Sequence, residues 1–277
     1  MTQPEETIIT STRNPLVKRI RALGHRDARQ QEGRIVIEGL RAIIEAVRVR
    51  LPIDTMLYAP DRVRSDLARS TLADAEKRGA TLVAASADVL DSLSERDASQ
   101  GIIAVAERPH ADIGAIPTNG APLVLAVFEP QDPGNLGTIA RTADGAGAAA
   151  VVAFGKRYAD PFDPKAIRAS MGSIFSVPII ELHDPAKALA ALRERRLRLI
   201  GAAGAGAKDI WHTQMTGAVA LLMGNERTGL PPDVMAACDA VARIPMLGHA
   251  DSLNVAVAAA IFAYEAVRQR RVTEGNN

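Results

Sequence analysis

The chain has 277 residues, which suits two domains of ordinary size, and 47% of them are hydrophobic. Only 3% are aromatic, so the cores must come mainly from Ala, Val, Leu and Ile, and a stacking surface of aromatics for single-stranded RNA is disfavoured. The formal net charge of +1 announces no nucleic-acid partner in bulk.

Local features say more. Residues 13–50 carry ten Lys or Arg against four Asp or Glu. This basic arm is either a solvated helical face or a surface turned toward phosphates. The lone cysteine, Cys238, excludes a disulfide within the chain and a cysteine zinc site, and fits a reducing compartment. The opening MTQPEETIIT lacks the layout of a signal peptide, and no run of eighteen apolar residues occurs. The expectation is a soluble cytoplasmic protein with no membrane partner.

In chain order, residues 14–24 read as a short basic helix ended by Gly24. A strand at 35–39 turns into a helix over 39–49. A second strand covers 52–59, and an amphipathic helix covers 61–78, closed by Gly79. A third strand spans 81–86 and is followed by a short helix. A fourth strand covers 101–107. Alternating strands and helices predict a small layered α/β domain over 1–107. The Pro- and Gly-bearing stretch 108–120 reads as a linker. A second α/β domain follows over 121–277. Its strands are expected at 122–128, 149–154, 177–182, 196–201, 218–223 and 241–246. Each is a nearly continuous apolar run, as expected for a parallel sheet covered on both faces. Helices are expected at 185–195 and 231–239, with a long closing helix at about 253–271.

The common nucleotide signatures are absent. GAAGAGA (201–207) does not spell GxGxxG, and there is no Walker loop and no HExxH. The five histidines show no metal-ligand spacing. Three segments at strand C-terminal ends, where α/β sheets bind ligands, stand out instead. In FEPQDPGNLGTIARTADGAGA (128–148), Asn135 and Arg141 share one pocket only if Asn135 lies in the loop or cap. Alternatively, Asn135 caps a helix and Arg141 is a surface residue. In LLMGNERTGLPPDV (221–234), Gly224 permits close backbone approach and Glu226 sits at a strand end. Alternatively, this is an ordinary strand–turn–helix. In the stretch 243–270, Ser252 opens an Ala-rich helix, with Asn254 in its first turn. There, Asp251 or Ser252 serves as the N-cap, or Ser252 and Asn254 form a site on a rigid element.

Together these segments resemble the three motifs of the SpoU-TrmH family of RNA ribose 2′-O-methyltransferases, within the SPOUT superfamily. The first matches as Asn135-Leu136-Gly137 followed by Arg141. The second matches at Gly224, Glu226, Gly229 and Leu230. The third matches as Ile244-Pro245-Met246, Gly248 and Ser252-Leu253-Asn254-Val255, with Ala256 where a Ser is common. The match covers 121–270. The opening TSTRNPLVKRIRAL and the EGLRAI helix are similar to the family's L30e-like substrate-binding domain.

The resemblance implies a trefoil-knotted, parallel-sheet α/β methyltransferase domain behind the L30e-like domain. It implies S-adenosylmethionine as cofactor, held by Gly224, Ile244, Met246 and Leu253. It implies a homodimer whose active site is completed across the interface. Arg141 would lie nearest the reacting hydroxyl, as base or as phosphate and alkoxide stabiliser. Asn135, Ser252 and Asn254 would position the ribose. Glu226 would anchor loop N–H groups or Arg141. Arg168 and the arm residues Arg13, Lys18 and Arg19 are candidate RNA contacts. No metal is called for, because the sulfonium already activates the methyl group. Ribosomal RNA is preferred over transfer RNA as substrate. A non-catalytic RNA-binding protein on the same fold, and a methyltransferase acting on a base, are the competing readings.

Overall fold

The computed structural model describes residues 8–94, 99–204, 206 and 208–274. The chain divides into two compact units, Met1–Pro109 with Phe162–Ser176, and His110–Pro161 with Val177–Asn277. Residues 162–176 therefore pack with the first unit, although they lie inside the stretch 121–277.

In the first unit, the side chain of Asn14 caps α1 (Pro15–Ala22), accepting from Leu16 N at 2.9 Å, and Pro15 occupies the first helical position. A helix not expected from the sequence follows, α2 (Arg26–Glu32), closed by Gly33 at φ 61. Its polar sequence has no apolar period, and its anchor is a charged residue. Arg29 is 1% exposed and donates to Leu23 O, Gly24 O and Asp163 Oδ2 at 3.1, 2.7 and 3.0 Å. Thus one cation of the basic arm is an interior brace that satisfies carbonyls at the end of α1.

Next come β1 (Arg34–Glu38), α3 (Leu40–Arg48), β2 (Ile53–Tyr58), α4 (Asp66–Lys77), β3 (Thr81–Ala84), α5 (Ala87–Asp91) and β4 (Ile102–Glu107). Helix α4 starts at Asp66 and not near 61, because Ser65 caps it by accepting from Ala68 N at 3.1 Å. The four strands form one mixed sheet in the order β1-β4-β2-β3, with only β2 and β3 parallel. Val17, Ile20 and Leu23 of the first helical segment pack with Val36, Leu57 and Val105 of the sheet.

The second unit is built on a seven-stranded, wholly parallel sheet. The chain runs through β5 (Leu123–Phe128), α6 (Pro133–Gly145) and β6 (Ala150–Phe154). It then passes through α7 (Pro164–Ser170), which belongs to the first unit. It continues with β7 (Ile179–Leu182), α8 (Pro185–Glu194), β8 (Arg198–Ala202), β9 (Lys208–Asp209), β10 (Val219–Met223), α9 (Pro232–Ala236), β11 (Ala240–Arg243) and α10 (Val255–Glu274). The strand order is β7-β6-β5-β10-β8-β11-β9.

The apolar runs become strands because both sheet faces are covered. Val124, Ala126, Ala220 and Leu222 pack toward Leu189 and Leu192 of α8 and Val234 of α9. Alternate residues point to the opposite face, where α10 packs on α6, β5 and β10. Of the expected boundaries that shift, two bear on the site. The run expected at 241–246 leaves the sheet at Arg243, so Ile244 and Met246 lie in a loop. The closing helix starts at Val255, which leaves Leu253 and Asn254 ahead of it. Among the described residues, no helix is long and apolar enough to cross a membrane.

Candidate active site

A cleft of about 550 Å³ lies over the carboxyl ends of β10, β8 and β11, three consecutive neighbours in the sheet, with Asn135 of α6 beside them. This is where an open parallel sheet presents its loops and binds ligands. All four residues read as cofactor-binding, Gly224, Ile244, Met246 and Leu253, line it. So do Asn135, Glu226, Ser252 and Asn254.

Asn135 joins the three motif segments. Asp132, and not Asn135, caps α6, its Oδ1 accepting from Gly134 N at 2.7 Å. Asn135 is thereby placed in the first turn with its side chain free to reach outward. Its Nδ2 donates to Glu226 Oε1 at 3.1 Å, and its Oδ1 accepts from Asn254 Nδ2 at 3.0 Å. Asn254 Oδ1 accepts from Ala256 N at 2.9 Å and Val257 N at 3.4 Å. Asn254 is therefore the N-cap of α10, where Asp251 or Ser252 is expected from local chemistry and Asn254 inside the first turn. The carboxylate of Glu226 accepts from the backbone N–H groups of Gln131 and Asp132, at 3.1 and 3.3 Å, as well as from Asn135. It anchors the loop ahead of α6 and has no contact with Arg141 among its hydrogen bonds.

Gly224 is required for a different close approach than a ligand alone would need. A Cβ there would lie 2.3 Å from Gly229 C and 2.4 Å from Leu230 N, both backbone atoms. The chain folds back on itself at this point. Asn225 N donates to Gly229 O at 3.1 Å, and Gly229 N to Asn225 O at 2.9 Å. Gly229, at φ 69, closes the turn that projects Glu226.

Arg141 stands apart from this wiring. It is exposed, does not line the cleft, and makes no hydrogen bond or ion pair among the described residues. Because α6 runs continuously through both positions, Asn135 and Arg141 point about 120° apart around the helix axis. Ser252 lines the cleft and is likewise without a hydrogen-bond partner among the described residues.

The expected RNA contacts divide. Arg13 and Lys18 are exposed. Arg19 pairs with Glu32 at 2.7 Å. Arg168 is only 16% exposed and pairs with Glu38 at 3.3 Å inside the first unit. Its guanidinium is engaged there, which sets it apart from an open phosphate clamp.

Sequence reading missed part of the wall. Ala202, the last residue of β8, and Ala203 and Gly204 after it line the cleft. They belong to the GAAGAGA stretch, set aside because it is no dinucleotide fingerprint. Its place in the wall follows from the position of β8 between β10 and β11 in the sheet. Asn225 and Arg227, inside the second motif, also line the cleft, as does Phe262 of α10.

Residues 122–264 match the SpoU rRNA Methylase family, and residues 14–104 match the MRM3-like substrate binding domain. The chain belongs to the SpoU rRNA methylase family. It is 36% identical to the 23S rRNA (uridine(2479)-2′-O)-methyltransferase of Streptomyces viridochromogenes, over 90% of this chain and 87% of that protein. It is 32% identical to the 23S rRNA (guanosine(2553)-2′-O)-methyltransferase RlmP of Bacillus subtilis, over 92% of this chain and 97% of that one. Among solved structures, it resembles the SpoU methyltransferase AviRb of Streptomyces viridochromogenes in complex with AdoMet. The TM-score is 0.86 and the identity 35%, with coverage of 94% of this chain and 99% of that one. It also resembles the AdoMet-bound rRNA methyltransferase of Sinorhizobium meliloti, with a TM-score of 0.85, 33% identity, and coverage of 95% and 97%. The family's α/β methylase architecture, with a parallel sheet behind an N-terminal substrate-binding domain, thus agrees with the fold expected from the three motifs.

Proposed function

We propose that this protein transfers a methyl group from S-adenosylmethionine to a ribose 2′-hydroxyl of 23S ribosomal RNA. The observation that carries this reading is the bridge Glu226–Asn135–Asn254 in the wall of the cleft, which ties the three family motifs into one site. The related proteins named as 23S rRNA 2′-O-methyltransferases, and the AdoMet complexes of similar fold, support it.

The residues present fit the cofactor. The cleft has the volume of a small-molecule site. Its walls join the apolar side chains of Ile244, Met246 and Leu253 to strand-end backbone at Gly204 and Gly224, where a base ring finds apolar faces and its polar edges find main-chain partners. When bound, the cofactor supplies a methyl group already activated on a sulfonium, so the proposal includes no metal. Asn135 and Asn254 hold the loops around the reacting ribose. Arg141 orients the RNA phosphate and stabilises the alkoxide developing on the 2′-oxygen, whose proton passes to solvent water as the O–CH3 bond forms and the S–CH3 bond breaks, leaving S-adenosylhomocysteine. A guanidinium has no acceptor and stays charged, which favours that role over proton abstraction.

Because Arg141 points away from its own cleft, the proposal includes a homodimer in which Arg141 serves the cleft of the partner. Val257 and Tyr264, one face of α10 and both about half exposed, offer an apolar surface for such pairing next to α6. Residues 1–107 act as the RNA-binding domain, with Arg13 and Lys18 as contacts and 108–120 as linker. Residues 121–277, except 162–176 that pack with the first unit, form the catalytic domain with the family's trefoil knot. The place of action is the cytoplasm, where ribosomal RNA is found.

The test is calorimetric titration of S-adenosylmethionine into the full chain. Transfer of labelled methyl groups to deproteinised 23S rRNA and mapping of the modified nucleotide follow. Absence of cofactor binding, or a label on a base, would overturn the proposal.

A further inference from the structure

The turn over Asn225–Gly229 fixes a second side chain on the cleft besides Glu226. Asn225 Oδ1 accepts from Arg227 N at 2.9 Å and Thr228 N at 3.3 Å. Its Nδ2 donates to Glu129 O at 2.7 Å, which pins the turn to the loop after β5. Arg227 is thus held by its N–H inside a turn that the Asn225–Gly229 backbone pair closes.

Arg227 lines the cleft, is exposed, and is the only Lys or Arg among the described lining residues. Neighbouring Glu226 forms no ion pair with it; that carboxylate turns to Gln131, Asp132 and Asn135 instead. Asp251, the other exposed charge on the wall, forms no ion pair with it. Among the described residues, the guanidinium of Arg227 has no hydrogen bond or ion pair. A cation on a pinned turn, paired with neither of the acids near it, is placed to take an external anion.

The chemistry of the site decides which anion. A sulfonium in the cleft is itself positive and repels a guanidinium placed deep beside it. Arg227 lines the cleft and is exposed to solvent, where a polyanion covering the opening can reach it. We propose that Arg227 binds a backbone phosphate of the RNA strand entering the cleft and so positions the target ribose. This rests on the reading of the cleft as the methyl-transfer site.

The test compares Arg227→Ala and Arg227→Lys with the wild-type full chain. Equilibrium retention of deproteinised 23S rRNA is measured against salt, together with the KM for that RNA and the Kd for S-adenosylmethionine. Arg227→Ala is expected to weaken RNA binding and raise its KM about tenfold, as one charge-assisted contact predicts. The slope of log affinity against log salt should become shallower by about 0.7–0.9, the contribution of one phosphate. Cofactor Kd should be unchanged, and Arg227→Lys should keep the wild-type slope. A weakened cofactor Kd at unchanged RNA affinity would overturn the proposal by placing the guanidinium on the cofactor carboxylate. Unchanged values for both ligands would overturn it as well. A wild-type protein that retains RNA but binds no cofactor would overturn the reading of the cleft, and the RNA arm would still decide Arg227.

Discussion

Asn254 Nδ2 donates to Asn135 Oδ1 at 3.0 Å, and the direction of this bond is dictated by what each residue meets on its other side. Glu226 can only accept, so Asn135 must offer it Nδ2. The N–H groups of Ala256 and Val257 can only donate, so Asn254 must offer them Oδ1. The two remaining amide atoms are then complementary. A change to Asp at Asn254 keeps the helix cap but sets oxygen against oxygen across the bond. Asn254→Asp is expected to keep the fold and lower kcat/KM at least about tenfold, the effect of losing one hydrogen bond and gaining one repulsion. A double-mutant cycle of Asn135→Ala with Asn254→Ala should give a coupling of about 0.5–1.5 kcal/mol in activity. Additive effects would show that the two amides act separately.

The same pair marks what sequence could and could not supply. The strands of the second unit are legible because strands buried on both faces leave continuous apolar runs. The three motif loops are legible because Pro and Gly break those runs at strand ends. The cap of α10 is not legible. Asp251, Ser252 and Asn254 are all good caps by local chemistry, and the choice involves Asn135, 119 residues away. Helix α2 is hidden for a related reason. Its anchor is a charged residue, Arg29, whose burial depends on carbonyls at Leu23 and Gly24 and on the distant Asp163. No period of apolar residues encodes such a contact. The wall at 202–204 was missed because its role comes from strand order, which no local pattern carries.

Gly224 leads to a stability prediction. Its neighbours at the would-be Cβ are the backbone atoms of Gly229 and Leu230, at 2.3–2.6 Å, which cannot rotate away. Gly224→Ala must therefore push apart the turn that carries Glu226 and Arg227. The expected cost is about 1–3 kcal/mol in denaturant unfolding, the range for overpacking a tight site. Loss of S-adenosylmethionine binding should accompany it. Gly204→Ala, where a Cβ would meet nothing within 4 Å, is the matched control and should leave stability near wild type. Equal stability of both variants would contradict the geometry of the turn.

The first unit carries a pH dependence of its own. Arg62 donates to both oxygens of Asp91, at 2.5 and 2.8 Å, and Ser99 N donates to Asp91 Oδ1 at 2.8 Å. The Arg62 hydrogen bonds, followed by the Ser99 N–H, hold the Asp91 carboxyl well below the usual carboxylate range. A depressed folded value means that this carboxylate stabilises the fold above its unfolded value, about 3.9, and loses that contribution as the pH falls through the range below it. Asp91→Asn should therefore lower Tm at pH 7. The gap to wild type should narrow as the pH drops below about 4. A gap that stays constant from pH 7 to pH 3 would assign the effect to packing.

The last prediction concerns which cleft Arg141 serves. Arg141→Ala is expected to lower kcat by about 10²–10³, the range for removing a group that stabilises developing charge. Asn254→Ala should also be strongly impaired, through the bridge to Asn135. If Arg141 acts on the partner's cleft, mixing the two inactive proteins restores activity. In a mixed dimer, one site combines the intact Arg141 of one chain with the intact Asn254 of the other. Its second site lacks both. Random exchange puts about half of the chains into mixed dimers with one working site each, so about a quarter of wild-type turnover should return. The exchange is made by mixing under mild denaturant and assaying methyl transfer after dilution. A mixture no more active than its two components would place Arg141 and Asn254 in the same chain's site, which would require α6 to turn Arg141 toward its own cleft.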